Sequence, residues 1–203
     1  GEAPKQHWMI VGPRGIGKSH LLTLLYHKVK DDKKVSKLWL PVLFPEELRM
    51  AGDLSKFLER AVSELLIDLE REKNPIAAEL KPKIDKIKKI PVDERSDYIF
   101  SILSWIHEIT GRFILLITEN LQHLLGKKIR VIEQKKLRAY LQTNEAVLLI
   151  GSATTVFEAL HDHSNPFYHF FHIKRLEDLS FDDMKALIID LLTEGGQHEV
   201  VKK

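Results

Sequence analysis

Apolar and polar positions in this chain follow two periods, and the switches between them divide it into short strands and longer helices. Trp8-Met9-Ile10-Val11 is an apolar run of strand type, and Leu21, Leu22, Leu24, Leu25 and Val29 continue it as a helix. Leu38 to Phe44, bounded by Pro45, predicts a second strand. Leu54, Phe57, Leu58, Ala61, Val62, Leu65, Leu66 and Leu69 keep the i, i+3, i+4, i+7 spacing of an amphipathic helix. Residues 75–92 are rich in lysine, with Ile84, Ile87 and Ile90 on one side, and read as a helical insertion. A further helix is expected from Asp93 to Thr110, with Gly111 at its C-cap. Phe113–Ile117 and Val147–Ile150 are continuously apolar, as parallel strands covered on both faces must be, and the second ends at Gly151. Ile129 to Leu141 is helical between them, and Phe170–Ile173 gives a shorter strand. Ser180 then caps a last helix whose first turn holds Asp182 and Asp183. The alternation predicts an α/β fold, a parallel sheet with helices on both faces.

Composition narrows the class without naming a chemistry. A chain of 203 residues is long enough for one α/β domain with a full core. Apolar content of 44% and charged content of 30% are those of a soluble globular protein. A net charge of +2 is too small to argue for nucleic acid by itself. The absence of cysteine excludes a disulfide framework, a thiolate metal site and a thiol nucleophile, and fits a cytoplasmic location. No apolar run approaches the roughly 18 residues that cross a bilayer, so no membrane partner is expected. The first strand begins so close to Gly1 that the chain is expected to be a fragment of a longer polypeptide.

The candidate chemistry lies between the first strand and the first helix. Gly12-Pro13-Arg14-Gly15-Ile16-Gly17-Lys18-Ser19 fits G-x-x-x-x-G-K-[ST], the phosphate-binding P-loop or Walker A motif. A glycine-rich turn directs backbone N–H groups inward, and a helix beginning at Lys18, Ser19 and His20 adds partial positive charge. Lys18 is expected to reach the β- and γ-phosphates, and Ser19 to ligate Mg²⁺. Hydrolysis needs carboxylates from the end of another strand as well. Thr118-Glu119-Asn120 follows the third strand, so Glu119 is the candidate for water activation and for metal binding. The next strand runs into Gly151-Ser152-Ala153-Thr154-Thr155, where Ser152 or Thr154 can serve as a γ-phosphate sensor or as a helix cap, Thr155-x-x-Glu158 being a capping box.

The order of these motifs resembles the AAA+ and STAND group of P-loop ATPases, and more narrowly the branch of origin-recognition-type and archaeal-type prokaryotic ATPases. Phe113–Leu125 is similar to that branch's Walker B strand and following helix. Leu148–Thr154 is similar to its sensor-1 strand, and Phe171–Leu176 with Leu179-Ser180 resembles the passage into its helical lid. The resemblance implies strand order 5-1-4-3-2, ATP with Mg²⁺, and work as a motor or switch inside a larger protein. Self-association or another protein partner comes with it. Residues 1–178 would form the ATPase core and 179–203 the start of a truncated lid. The chain departs from the family's Asp-Glu pair in Walker B. Either Thr118 takes the Asp position, or Glu119 takes it and Asn120 takes the catalytic one, and in both cases one carboxylate is missing. The function implied is an Mg-dependent ATPase, the alternative a nucleotide-dependent binding module that no longer hydrolyses. A small-molecule kinase, which shares the Walker A loop, fits the motif order less well.

Three other features have plainer readings beside the functional ones. His161, His163, His169 and His172 match no structural zinc spacing and read as a polar loop. The basic runs Lys81–Lys89 and Lys127–Arg138 suit nucleic-acid backbones or solvated helix faces equally, with no aromatic residues interleaved for stacking. The segment 156–170 contains no arginine to act on a neighbour's phosphate, and Arg175 reads as strand-end surface.

Overall fold

The structure, a computed structural model, describes residues 6–44, 53–125, 129–156, 160, 163, 165–178 and 180–194, excepting the side chains of 187, 188 and 190–194. Among these residues the chain runs β1 (His7–Val11), α1 (Lys18–Asp31), β2 (Trp39–Phe44), α2 (Leu54–Arg71), α3 (Ile76–Ile87) and α4 (Val92–Thr110). It continues with β3 (Phe113–Thr118), α5 (Leu121–His123), α6 (Val131–Thr143), β4 (Val147–Ala153), β5 (Phe171–Arg175) and α7 (Phe181–Glu194). All strand pairs are parallel, in the order β2-β3-β4-β1-β5, which is the expected 5-1-4-3-2 read from the other edge. The Lys-rich stretch forms α3, whose Ala77, Leu80 and Ile87 are buried.

Successive side chains of a strand point to opposite faces, and here both faces are covered. Ile10, Leu115, Ile117 and Leu148 pack with Leu22 and Val29 of α1. Their neighbours Met9, Val11, Ile114, Leu116 and Leu149 pack on the other side with α2, α4 and α6. This two-sided burial is why β3 and β4 read as unbroken apolar runs. Burying a leucine as fully as Leu22 contributes about 1.5–3 kcal/mol. Asp53 caps α2 by accepting the Ser55 N–H at 2.8 Å, and Gly111 ends α4 in a left-handed conformation, φ 66°.

β4 continues to Ala153, past the turn expected at Gly151. Gly151 pairs with Met9, Ser152 with Ile10 and Ala153 with Val11, so the small polar residues belong to the central sheet. Gly151 is required there: a Cβ on it would lie 2.6 Å from Leu121 Cδ2 and 3.0 Å from Leu121 Cβ. A cross-link at the opposite end of β1 was not foreseen. The buried His7 ring accepts the Leu149 N–H on Nδ1 at 3.0 Å and so donates from Nε2 to the Leu141 carbonyl, 3.2 Å away. It also stacks on Phe170 with ring centroids 4.8 Å apart. Burial lowers its pKa, against a smaller opposing effect of the Leu141 carbonyl.

Candidate nucleotide-binding site

β1 leads directly into the glycine-rich loop, and the Gly12 N–H donates to the Ala153 carbonyl at 3.2 Å, tying the loop to the end of β4. Gly15 and Gly17 have φ of 85° and 97°, and Gly17 is the N-cap of α1. Side-chain-bearing residues rarely adopt that backbone, so the glycines permit the loop to fold over the helix N-terminus. The start of α1 leaves N–H groups without intrahelical acceptors and carries partial positive charge. Lys18 is buried, and its ammonium donates to the Gly12 carbonyl at 2.7 Å and the Pro13 carbonyl at 2.8 Å. Pro13, Arg14, Ser19 and His20 are exposed and Ile16 is half-buried.

Across from the loop, the Ser19 hydroxyl donates to Glu119 Oε2 at 2.8 Å. The Glu119 N–H donates to the Phe44 carbonyl at 3.1 Å, which fixes the carboxylate at the end of β3. Thr118, in contrast, is buried within the strand, paired with Phe44 and Gly151. Asn120 follows in a left-handed conformation, φ 49° and ψ 46°. Its N–H donates to Ser152 Oγ at 3.3 Å and its Oδ1 accepts from Gln122 Nε2 at 3.3 Å. Ser152 is therefore the buried support of Asn120. A cavity of about 240 Å³ is lined by Arg14, Gly15, Lys18, Ser19, Asn120, Ser152 and Thr154. A second, of about 400 Å³, has Val11, Pro13, Val156 and Leu176 among its walls and shares Thr154.

The residue chemistry fits a polyphosphate with Mg²⁺. The loop offers N–H donors and an ammonium, while a hydroxyl and a carboxylate in contact are the oxygen ligands that a hard cation takes. The expected Gly12, Pro13, Arg14, Gly15, Lys18, Ser19 and Thr154 line these cavities and Glu119 is bound to Ser19, while Ile16, Gly17 and His20 line neither. The support of Asn120 by Ser152 and Gln122 was missed. Its available signal was Asn120 itself, asparagine being one of the few non-glycine residues that tolerate left-handed backbone. Glu158 of the expected capping box, His161, Lys127 and Lys128 lie outside the described residues.

Other features have mostly structural surroundings. Among the described residues no group of three His, Asp or Glu side chains is arranged to hold a metal ion. His163 packs on Tyr168 and His172 on Trp8. In the second basic run Lys136 pairs with Asp97 at 2.6 Å, Arg130 with Glu133 at 3.2 Å, and Arg138 donates to the Pro166 and Tyr168 carbonyls. In the first, Lys83 lies 4.6 Å from the Trp105 ring centroid and Lys86 5.5 Å from that of Tyr98, rings supplied by the neighbouring α4. No described helix is long and apolar enough to cross a membrane.

Comparison with solved structures places the fold. The chain is similar to the ORC2 protein of Aeropyrum pernix in its ADP form, with TM-score 0.64 and 14% identity, over 94% of this chain and 47% of that one. It is similar to the ORC1 protein of Aeropyrum pernix in complex with DNA, with TM-score 0.62 and 12% identity, over 96% of this chain and 45% of that one. A Walker-type ATPase of Pyrococcus abyssi matches with TM-score 0.55 and 15% identity, over 93% of this chain and 53% of that one. The chain thus spans about half the length of these proteins. No protein-family model and no curated protein matches it. The chain shares with these ORC-protein and Walker-type ATPase structures its fold, a five-stranded parallel α/β sandwich.

Proposed function

We propose that this chain binds ATP with Mg²⁺ between the glycine-rich loop and the ends of β3 and β4, and acts as a slowly hydrolysing nucleotide switch. The observation that carries the reading is the 2.8 Å hydrogen bond from Ser19 to Glu119. It joins the loop hydroxyl to the strand-end carboxylate, the pair that a phosphate-bound Mg²⁺ would use. Lys18 would exchange its two loop carbonyls for phosphate oxygens. The metal would neutralise phosphate charge and orient the terminal group. The second cavity, with its apolar walls, would take the nucleoside.

Assigning Glu119 to the metal leaves Asn120 facing the cavity where a general base is needed. A carboxamide can orient a water molecule but cannot take its proton at neutral pH. Turnover is accordingly slow, and occupancy by ATP or ADP is the signal. That signal would pass to a second copy of the chain or another protein. A nucleic-acid partner is the second reading, favoured by the exposed Lys81, Lys88 and Lys89. The division into a core over 1–178 and the beginning of a lid at 179–203 is part of the same proposal, as is a cytoplasmic setting.

Calorimetric titration of ATP and ADP, with and without Mg²⁺, beside steady-state phosphate release tests it. Binding strengthened by Mg²⁺ with slow release is the expected result. Absence of binding would overturn the site, and fast release that survives Glu119→Gln would overturn the role given to Glu119.

A further inference from the structure

Arg49 lies outside the described residues; the other eight arginines divide by what their guanidinium groups touch. Arg60 and Arg71 pair with Glu64 and Asp68, Arg112 with Glu72 and Arg130 with Glu133. Arg95 donates to the Ile90 carbonyl and Arg138 to those of Pro166 and Tyr168. The guanidinium groups of Arg14 and Arg175 make no hydrogen bond or ion pair with any described residue. Those two line the two cavities that meet at Thr154, Arg14 the smaller and Arg175 the larger. The parallel ladder sets Arg175 opposite Val11, the residue that enters the loop, so both cations flank the same turn. The carboxylate at the site, Glu119, is bound to Ser19. Lys18, Arg14 and Arg175 therefore leave an excess of positive charge at the loop.

The two positions differ in what surrounds them. Arg14 shares its cavity with Lys18, Ser19, Asn120 and Ser152, the polar end bounded by β3 and β4. Arg175 shares its cavity with Val11, Pro13, Val156 and Leu176, the apolar end. A guanidinium presents a planar fork that matches two phosphate oxygens, a geometry an ammonium lacks. We propose that Arg14 reads the terminal phosphate within its own chain and sets the preference for ATP over ADP, while Arg175 anchors both nucleotides alike. This inference rests on the nucleotide site proposed above and deepens it. It gives the chain a means of telling the two nucleotides apart without an arginine from a neighbouring copy.

Equilibrium binding of a non-hydrolysable ATP analogue and of ADP, with Mg²⁺, to the full chain and to Arg14→Ala, Arg14→Lys and Arg175→Ala tests the assignment. Both side chains are exposed, and a thermal midpoint for each variant confirms folding. Arg14→Ala is expected to weaken the ATP analogue about tenfold with ADP unchanged, the size of one charge-assisted contact. Arg14→Lys should recover part of that loss, and Arg175→Ala should weaken both nucleotides equally. Equal loss for both nucleotides on Arg14→Ala, or none for either, overturns the discriminating role. Failure of the unaltered chain to bind either nucleotide overturns the site itself, and is told apart by that control.

Discussion

The hydroxyl of Ser19 at the start of α1 and the carboxylate of Glu119 at the end of β3 stand 100 residues apart in the chain and 2.8 Å apart in space. Two oxygen ligands held in contact make a cation site that needs little rearrangement to bind, and groups acting on one ion should not act additively. Ser19→Ala and Glu119→Gln are each expected to lower Mg-ATP affinity about tenfold, and the double variant little further. Without Mg²⁺ the same variants should bind like the unaltered chain. A titration series over the four proteins at two metal concentrations measures this, and full additivity would separate the two residues' roles.

Asn120 supplies the second prediction. Its backbone is left-handed, a conformation that Asp also tolerates, so Asn120→Asp should fold normally. The new carboxylate would face the cavity as a proton acceptor. Phosphate release is expected to rise about tenfold or more, within the range that general-base catalysis supplies. Unchanged release in a folded, ATP-binding variant would show that Asn120 does not occupy the base position.

Gly151 allows a test of how tightly the site is packed. Leu121 is fully buried and cannot withdraw from a Cβ placed 3.0 Å from its own. Gly151→Ala should cost about 1–3 kcal/mol of folding stability, as overpacking in a full core does. Because Leu121 adjoins Asn120, nucleotide affinity should change in the same variant. Urea denaturation midpoints check the first effect, and the binding titration the second.

His7 predicts a pH dependence. Its ring is held neutral by an accepted and a donated hydrogen bond, and burial depresses its pKa below 6.5. The unfolded chain takes up a proton as pH drops below about 6.5, while the folded chain resists it until the lower folded pKa. The contribution of His7 is thus present above about 6.5 and lost as pH falls from there through the folded pKa. His7→Gln keeps a donor without titrating at these pH values. Its stability should be lower throughout but fall less between about pH 7.5 and about pH 5.5, as urea midpoints at the two pH values would report.

The parts of this fold legible in the sequence are those buried on both sides or fixed by local backbone chemistry. β3 appears as Phe113–Ile117 because alternate residues serve two cores, and the loop appears because its glycines are locally necessary. Gly151, Ser152 and Ala153 belong to β4 through pairing with β1, a long-range relation that small residues do not announce. The same holds for His7, whose partners lie 134 and 142 residues away. Glu119 could be named from its place after an apolar strand. Its contact with Ser19, 100 residues away, is supplied only by the folded chain.

β1 is flanked along its length by β4 on one side and β5 on the other, with Val11 laddered to both Ala153 and Arg175. A pull on the glycine-rich loop along this strand would meet shear across two hydrogen-bond ladders at once. Peeling either edge of the sheet opens one ladder at a time. The loop is therefore rooted in a strand held on both sides, and a displacement of it would be passed on to the neighbouring strands before β1 itself gave way.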